Sequence, residues 1–181
     1  MLIEALKSCL LMVDMQERLL PAIDEFERVI QKCAMLLNVA EKLDLPLIIT
    51  EQYPKGLGPT VPELESKNAT VFEKLSFSGF RDDKIRSHFM TLEDSGIKHV
   101  IVCGIEAHVC VMQTALELKQ AGFGVFVVAD ACSSRSPASA DLAMSRMRQA
   151  GVQVVDCEMV VFELIGKAGT PEFKALSALI K

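Results

Sequence analysis

The sequence lacks several features, and each absence excludes a class of protein. Its six cysteines form no CxxC pair and show no close spacing, which favours reduced thiols in an intracellular compartment over a disulfide framework. Its 19 Lys and Arg are outnumbered by 24 Asp and Glu, so we expect no nucleic-acid partner. The first apolar run covers only residues 9–13, which is too short for a signal peptide or a membrane span. A cytoplasmic protein without a membrane partner is therefore expected.

Motifs for common cofactors and for one hydrolase class are missing as well. There is no GxxxxGK[ST] run and no complete GxGxxG fingerprint ahead of a helix, so a nucleotide cofactor is not expected. No GxSxG elbow surrounds any serine, which disfavours a serine hydrolase. The three histidines, His88, His99 and His108, are widely spaced and have no second metal ligand nearby in sequence. We therefore predict no bound metal and no other cofactor.

Apolar residues make up 50% of the 181 residues, which is enough for one domain, residues 1–181, with a large core. Six short aliphatic runs alternate with helical patterns. Strands that are apolar on both faces and alternate with helices indicate a parallel sheet covered on two sides. We predict a doubly wound α/β fold. The candidate strands cover residues 9–13, 47–50, 70–72, 100–103, 125–129 and 152–155.

The strongest helical pattern lies between the first two strands, over residues 26–43, where apolar side chains recur at the spacing of one buried helix face. Similar patterns cover 85–92, 109–118 and 140–150, and each of these three ends at a glycine. The tail has apolar residues at Phe173, Leu176 and Ile180, which predicts a last helix docked on the domain or on a second subunit. The only long irregular region, 51–68, is a candidate active-site wall.

Charged or nucleophilic residues stand at the carboxyl ends of five candidate strands. In open α/β sheets, ligands bind beyond these ends, where the strand order reverses. We therefore expect these side chains to converge on one site. They are Asp14, then Glu51 with Gln52, then Glu73 with Lys74, then Cys110 and finally Asp130.

Cys110 is the candidate nucleophile, since it lies where a buried strand turns into a helix. Unpaired N–H groups and the helix dipole favour an anion in the first turn of a helix, which predicts a lowered thiol pKa. Asp14 is placed to accept the thiol proton and Lys74 to stabilise the resulting charges. Each residue also has an ordinary interpretation: Cys110 as a small buried side chain, Asp14 as a cap, and Lys74 as a solvated charge or surface ion-pair partner.

Four blocks resemble those of the isochorismatase-like cysteine hydrolases, in the same order along the chain. They are LMVDMQ at 11–16, EK at 73–74 followed by Phe77 and Phe80, GIEAHVC at 104–110, and DACSSR at 130–135. The resemblance implies a six-stranded parallel sheet with helices on both faces, a catalytic triad of Asp14, Lys74 and Cys110, and assembly into a homo-oligomer.

The resemblance also implies a non-proline cis peptide at Ile105-Glu106. This turn would direct the N–H groups of Ala107 and Cys110 at a developing oxyanion. We expect the substrate pocket to be walled by Gln52, Tyr53, Phe77, Phe80 and Glu106, and to take a small-molecule ligand.

The predicted reaction is hydrolysis of a small amide or related acyl compound through a thioester on Cys110. Two alternatives stay open. One is a nicotinamidase-type amidase, although the metal ligands of that branch are missing, since residues 50–54 contain no histidine. The other is a non-enzymatic interaction protein built on the same fold. The presence of Cys110 argues against isochorismate as the substrate, because true isochorismatases lack this cysteine.

Overall fold

The computed structural model describes residues 1–177, which form one six-stranded sheet with helices on both faces. The strands are β1 (Ser8–Val13), β2 (Leu47–Gln52), β3 (Ala69–Lys74), β4 (His99–Gly104), β5 (Gly124–Cys132) and β6 (Gln153–Val155). All neighbours are parallel, in the order β3-β2-β1-β4-β5-β6. The predicted doubly wound sheet is confirmed, and the strand order reverses between β1 and β4.

The helices agree with the predicted patterns, with two additions. They are α1 (Phe26–Lys42), α2 (Pro54–Leu57), α3 (Asp83–Asp94), α4 (Met112–Gln120), α5 (Pro137–Gln149), α6 (Cys157–Ile165) and α7 (Pro171–Ser177). The additions are α2 and α6. The sequence prediction missed α6, because its apolar residues 159–162 are consecutive and show no helical spacing. Its ends do carry signals: the Asp156 carboxylate accepts from the Met159 N–H at 2.7 Å, and Gly166 ends the helix in a left-handed conformation. Helix α7 agrees with the predicted tail helix, while Ile180 lies outside the described residues.

Each face of the sheet packs against its own set of helices. Along β1, Leu10 and Met12 belong to the core beneath α1 and α6, whereas Cys9, Leu11 and Val13 belong to the core beneath α3, α4 and α5. This alternation follows from the two-residue period of a strand. Burying one such aliphatic side chain contributes about 1.5–3 kcal/mol, so the two cores hold the strand ends in fixed register.

The region predicted to be irregular, 51–68, is more ordered than expected. Strand β2 continues to Gln52, and α2 follows directly. The Glu51 carboxylate accepts hydrogen bonds from the N–H and the hydroxyl of Thr60, at 2.7 and 2.8 Å. Thr60 also forms a bridge with Gln16. The loop is therefore fastened to the ends of β1 and β2. No helix within residues 1–177 is long and apolar enough to cross a membrane.

Gly104 ends β4 with a φ of 113°, and a Cβ added there would lie 2.2 Å from the Val13 carbonyl oxygen. Gly104→Ala is expected to destabilise the protein by about 1–3 kcal/mol from the backbone conformation alone, and the clash with β1 adds to this loss. Gly96→Ala is the matched control, since φ is 103° there but nothing lies within 4 Å of an added Cβ. Urea denaturation should give a clearly larger loss for Gly104→Ala. Equal losses would contradict the close approach of β4 to β1.

Candidate active site

A buried ion pair joins the ends of β1 and β3. Asp14 directly follows β1 in a left-handed conformation, with a φ of 52°, and its N–H donates to the Thr50 carbonyl. The Asp14 Oδ2 atom lies 2.7 Å from Lys74 Nζ, and neither side chain is exposed. The other carboxylate oxygen accepts from Thr50 Oγ1 at 2.8 Å. The cap and surface-charge interpretations of Asp14 and Lys74 are therefore wrong.

Lys74 is surrounded by oxygen acceptors. Its ammonium donates to Asp14 Oδ2 and Gln52 Oε1, both at 2.7 Å, and to the carbonyls of Phe77 and Ser76 at 3.2 and 3.3 Å. A buried charge is costly unless it is paired and hydrogen-bonded, and this one is both. These hydrogen bonds fix the ammonium beside the Oδ2 oxygen of the Asp14 carboxylate.

Cys110 lies in a π-helical turn, Ala107–Val111, that leads into α4, and only 5% of the residue is exposed. Burial raises the pKa of its thiol to about 12. The charge of Asp14 also raises this pKa, whereas the charge of the Lys74 ammonium lowers it. The expectation of a lowered pKa is therefore wrong for the free protein, because the helix-terminus argument left out burial and the neighbouring carboxylate.

Asp14 is affected by the same surroundings. Burial raises the pKa of its carboxyl, while the charge of Lys74 and the hydrogen bonds from Lys74 and Thr50 oppose that increase. A carboxylate with a raised pKa is a stronger base. Asp14, Lys74 and Cys110 thus share one buried environment, in which each group changes the proton affinity of another.

The turn before Cys110 contains a cis peptide bond between Ile105 and Glu106, at the position that the resemblance implied. Its N–H groups are largely occupied. Ala107 donates to the Ser133 carbonyl at 2.8 Å, and Val109 and Val111 donate to the Glu106 carbonyl. The expected oxyanion role of the Ala107 N–H is therefore wrong in this geometry, because that hydrogen already has an acceptor.

Two side-chain pairs fasten this turn to the segment after β5. The Glu106 carboxylate accepts from Arg135 Nε at 2.9 Å, and His108 Nδ1 lies 2.9 Å from Ser134 Oγ. Glu106 is almost fully buried, while 62% of the Arg135 side chain is exposed. Arg135 therefore anchors the loop through a carboxylate and leaves the rest of its guanidinium at the surface.

Besides Glu106, the four other residues predicted to wall the substrate pocket fall into three groups. Tyr53 and Phe77 are exposed by 52% and 57% at the rim of the site. Phe80 is partly buried and packs against the core residue Phe89, with ring centroids 6.2 Å apart. Gln52 has both ends of its amide bonded to protein, since Oε1 accepts from Lys74 and Nε2 donates to the Leu75 carbonyl. Phe80 therefore has a packing role and Gln52 an internal hydrogen-bonding role, and the predicted substrate contacts of both residues stay predictions.

Two other strand-end acids lie outside the site. Asp130 falls within β5, where its carboxylate accepts from the Cys157 N–H and pairs with Lys32 at 3.1 Å, so it fastens α1 and α6. Glu51 holds the loop at Thr60. The sequence prediction missed Thr50 as a partner of Asp14. The sequence has no local signal for this contact, because it depends on the register in which Val13 of β1 pairs with Thr50 of β2.

The histidines and the other cysteines are also possible metal ligands or nucleophiles, but the structure gives them other roles. Within the described part of the chain, no group of three His, Cys, Asp or Glu residues is placed to hold a metal ion. His99 accepts from the Glu4 N–H, and His88 packs on the Phe72 ring. All six cysteines are free and buried.

Comparisons of this chain with domain models, with known proteins and with solved structures all find similar proteins. The isochorismatase domain model matches residues 8–159. Isochorismatase domain-containing protein 2 of Xenopus laevis is 42% identical over 173 residues, which cover 96% of this chain and 83% of that protein. A solved structure of the MAR1 ribonuclease from Caenorhabditis elegans is 37% identical, with a TM-score of 0.92 over 99% of this chain and 92% of that one.

Two structures of the bacterial protein YcaC are also similar. The YcaC gene product of Escherichia coli is an octameric hydrolase of unknown specificity, 26% identical, with a TM-score of 0.91 over 98% of this chain and 90% of that chain. YcaC from Pseudomonas aeruginosa was solved with covalent acrylamide, at 26% identity and a TM-score of 0.90 over 98% and 91% of the two chains. The match of the domain model and the extent of identity place this chain in the isochorismatase family.

Proposed function

We propose that the protein is a cysteine hydrolase that cleaves a small amide or related acyl compound. The observation that carries the proposal is the buried Asp14–Lys74 pair, 2.7 Å apart, whose charges both act on the Cys110 thiol. A nucleophile beside a base, with the base held by a third group, is the arrangement that covalent catalysis requires. Membership of a family that contains a hydrolase supports this reaction class.

The thiol is neutral at rest, because its pKa is raised to about 12. Asp14 therefore takes the thiol proton as the sulfur attacks the carbonyl carbon, and Lys74 stabilises the charge that appears. The tetrahedral adduct collapses when Asp14 returns that proton to the leaving nitrogen and the C–N bond breaks. Water, deprotonated by Asp14, then attacks the thioester, and the released thiolate recovers the proton from Asp14 to give the acid and free Cys110.

The backbone N–H of Cys110 is our candidate donor to the oxyanion. It has no acceptor in residues 1–177 outside its own helical segment, whereas Ala107, Val109 and Val111 donate to carbonyl groups. Tyr53 and Phe77 lie exposed at the rim, where aromatic faces suit a small flat ligand. A metal-dependent nicotinamidase is less well supported, because the described residues form no metal-binding group.

Several features of the relatives bear on the proposal. The covalent acrylamide on YcaC from Pseudomonas aeruginosa supports a reactive nucleophile in this fold, and the octameric YcaC of Escherichia coli supports a homo-oligomer here. The MAR1 ribonuclease raises RNA cleavage as a second activity. RNA cleavage is less favoured, since the net charge of −5 opposes phosphate binding.

The six free cysteines favour a cytoplasmic location, where thiols are kept reduced.

The test is a panel of small amides and a single-stranded RNA, each incubated with the purified protein and followed by intact mass spectrometry. We expect an amide to be hydrolysed and an acyl adduct to appear on Cys110 rather than on the other five thiols. A fully active protein whose cysteines all stay unmodified in rapid-quench samples would refute the covalent mechanism. RNA cleavage without amide hydrolysis would favour the second activity, and no reaction at all would favour an interaction protein.

Replacing Asp14 with Asn is expected to change two rates in opposite directions. The charge of Asp14 raises the pKa of Cys110, so its removal lowers that pKa and speeds alkylation of Cys110 by chloroacetamide at pH 8. Turnover falls by roughly 10²–10⁴-fold, because asparagine cannot accept the thiol proton. Asp130→Asn is the control, since that carboxylate pairs with Lys32. A parallel decrease of both rates would contradict the role of Asp14 as base.

A further inference from the structure

Gln52 holds the lysine of the proposed triad in place without touching the reacting atoms. Of the four oxygens around Lys74 Nζ, only Asp14 Oδ2 and Gln52 Oε1 lie at 2.7 Å, while the carbonyls of Ser76 and Phe77 lie at 3.3 and 3.2 Å. Charge-assisted hydrogen bonds are strongest at short distances. The two short bonds therefore set the position of the ammonium.

The orientation of the Gln52 amide is fixed at both ends. Its Nε2 donates to the Leu75 carbonyl at 2.8 Å, so its Oε1 faces Lys74. The opposite orientation would place the NH₂ group against the ammonium and oxygen against oxygen. The side chain thus presents an acceptor to Lys74, and both of its polar atoms already have a protein partner.

The backbone of Gln52 is held by a second glutamine. Gln16 is fully buried, and its amide pairs with both backbone groups of Gln52: Oε1 accepts from the N–H at 2.7 Å, and Nε2 donates to the carbonyl at 3.0 Å. Gln16 Nε2 also donates to the Gly58 carbonyl at 2.7 Å. Because Gln16 lies two residues after Asp14, this pairing ties the segment that carries the base to the strand end that positions the lysine.

We infer that Gln52 is a positioning residue, which acts through Lys74 to hold the ammonium against Asp14 and Cys110. This inference rests on the proposed function. The neutral amide matters as much as the hydrogen bond, because it accepts from Lys74 without adding a second negative charge beside the thiol. A glutamate at this position would compete with Asp14 for the ammonium and would disfavour the thiolate.

Two variants separate these contributions. Gln52→Met removes the acceptor, and we expect kcat on the best amide of the panel to fall roughly 10- to 100-fold with little change in KM, as for loss of a hydrogen bond to a charged group. Gln52→Glu keeps an acceptor but adds a charge. Its turnover at pH 7 should also fall, and its activity should recover at higher pH, whereas that of Gln52→Met should not.

Alkylation of Cys110 by chloroacetamide gives a readout that needs no substrate. Both variants should react more slowly than the parent protein between pH 7 and pH 10, because the thiolate loses stabilisation by Lys74 or gains a neighbouring charge. Gln31→Met and Gln31→Glu, on the exposed side of α1, serve as controls and should react at the parent rate.

Three results would overturn the inference. An increase in KM with unchanged kcat and unchanged alkylation would make Gln52 a substrate contact. A lowered melting temperature with normal alkylation would make its role structural, and parent-like behaviour in every assay would leave it no role. Failure of the proposed function looks different: either no amide would be hydrolysed or Cys110→Ala would retain turnover, while the alkylation rates of the Gln52 variants would still report on Lys74.

Discussion

Replacing Cys110 with alanine is expected to reduce amide turnover by roughly 10⁴-fold or more, as for removal of other covalent nucleophiles. The sulfur is the atom that forms the thioester, and no other thiol in the described chain lies beside both Asp14 and Lys74. The buried ion pair does not depend on Cys110, because Lys74 and Thr50 both bond directly to Asp14. The variant should therefore fold and retain a melting temperature close to that of the parent protein.

The matched control is Cys9→Ala. Cys9 is also a buried thiol in the core beneath α3, α4 and α5, where it donates to the His99 carbonyl. Cys9→Ala also removes a buried sulfur from the core but leaves the proposed nucleophile in place. Turnover should therefore stay within about twofold of the parent rate, as expected for a substitution outside the site. Cys110→Ser should be inactive too, because a serine hydroxyl is a much weaker nucleophile with this base. Retained hydrolysis in Cys110→Ala would remove the sulfur from the mechanism.

The arrangement of the sheet could be predicted because its signals are local. Most β-strands contain a short aliphatic run, each predicted helix shows its own apolar spacing, and three of the helical patterns end at a glycine. Parallel strands place their carboxyl ends at one edge, so the convergence of Asp14 and Lys74 followed from topology alone. Their pairing across 60 residues of sequence is the direct consequence.

What could not be predicted depends on distances between segments far apart in sequence. The pKa of Cys110 combines a favourable helix terminus with burial and a carboxylate, and only the packed structure gives the balance. Phe80 and Gln52 share the strand-end region with Tyr53 and Phe77, yet Phe80 packs against Phe89 and Gln52 bonds to Lys74. The Ala107 N–H donates to the carbonyl of Ser133, 26 residues later, and so does not point at the substrate site as predicted. None of these partners has a local sequence signal.

Replacing Lys74 with methionine is expected to give the largest loss of stability, about 3–5 kcal/mol at pH 7.5, because it leaves the Asp14 carboxylate buried without its cation. Both side chains of the pair are fully buried, so solvent cannot compensate. Asp14→Asn combined with Lys74→Met removes the orphaned charge, and the double variant should be more stable than Lys74→Met alone. Urea denaturation measures both, with Lys67→Met, at an exposed position, as the control for the loss of a lysine.

The loss of stability in Lys74→Met should also depend on pH, and the direction of this dependence follows from the pKa of Asp14. Burial already raises the pKa of that carboxyl above its ordinary value, and removing Lys74, which lowers it, raises it further. A folded state with a raised carboxyl pKa binds a proton more readily than the unfolded chain does. The loss of unfolding free energy in Lys74→Met is therefore largest at neutral pH and shrinks as the pH falls. The difference in stability from the parent protein should therefore narrow between pH 7.5 and pH 5. A difference that stays constant over this range, and that the second substitution does not reduce, would mean that Asp14 carries no uncompensated charge in the variant.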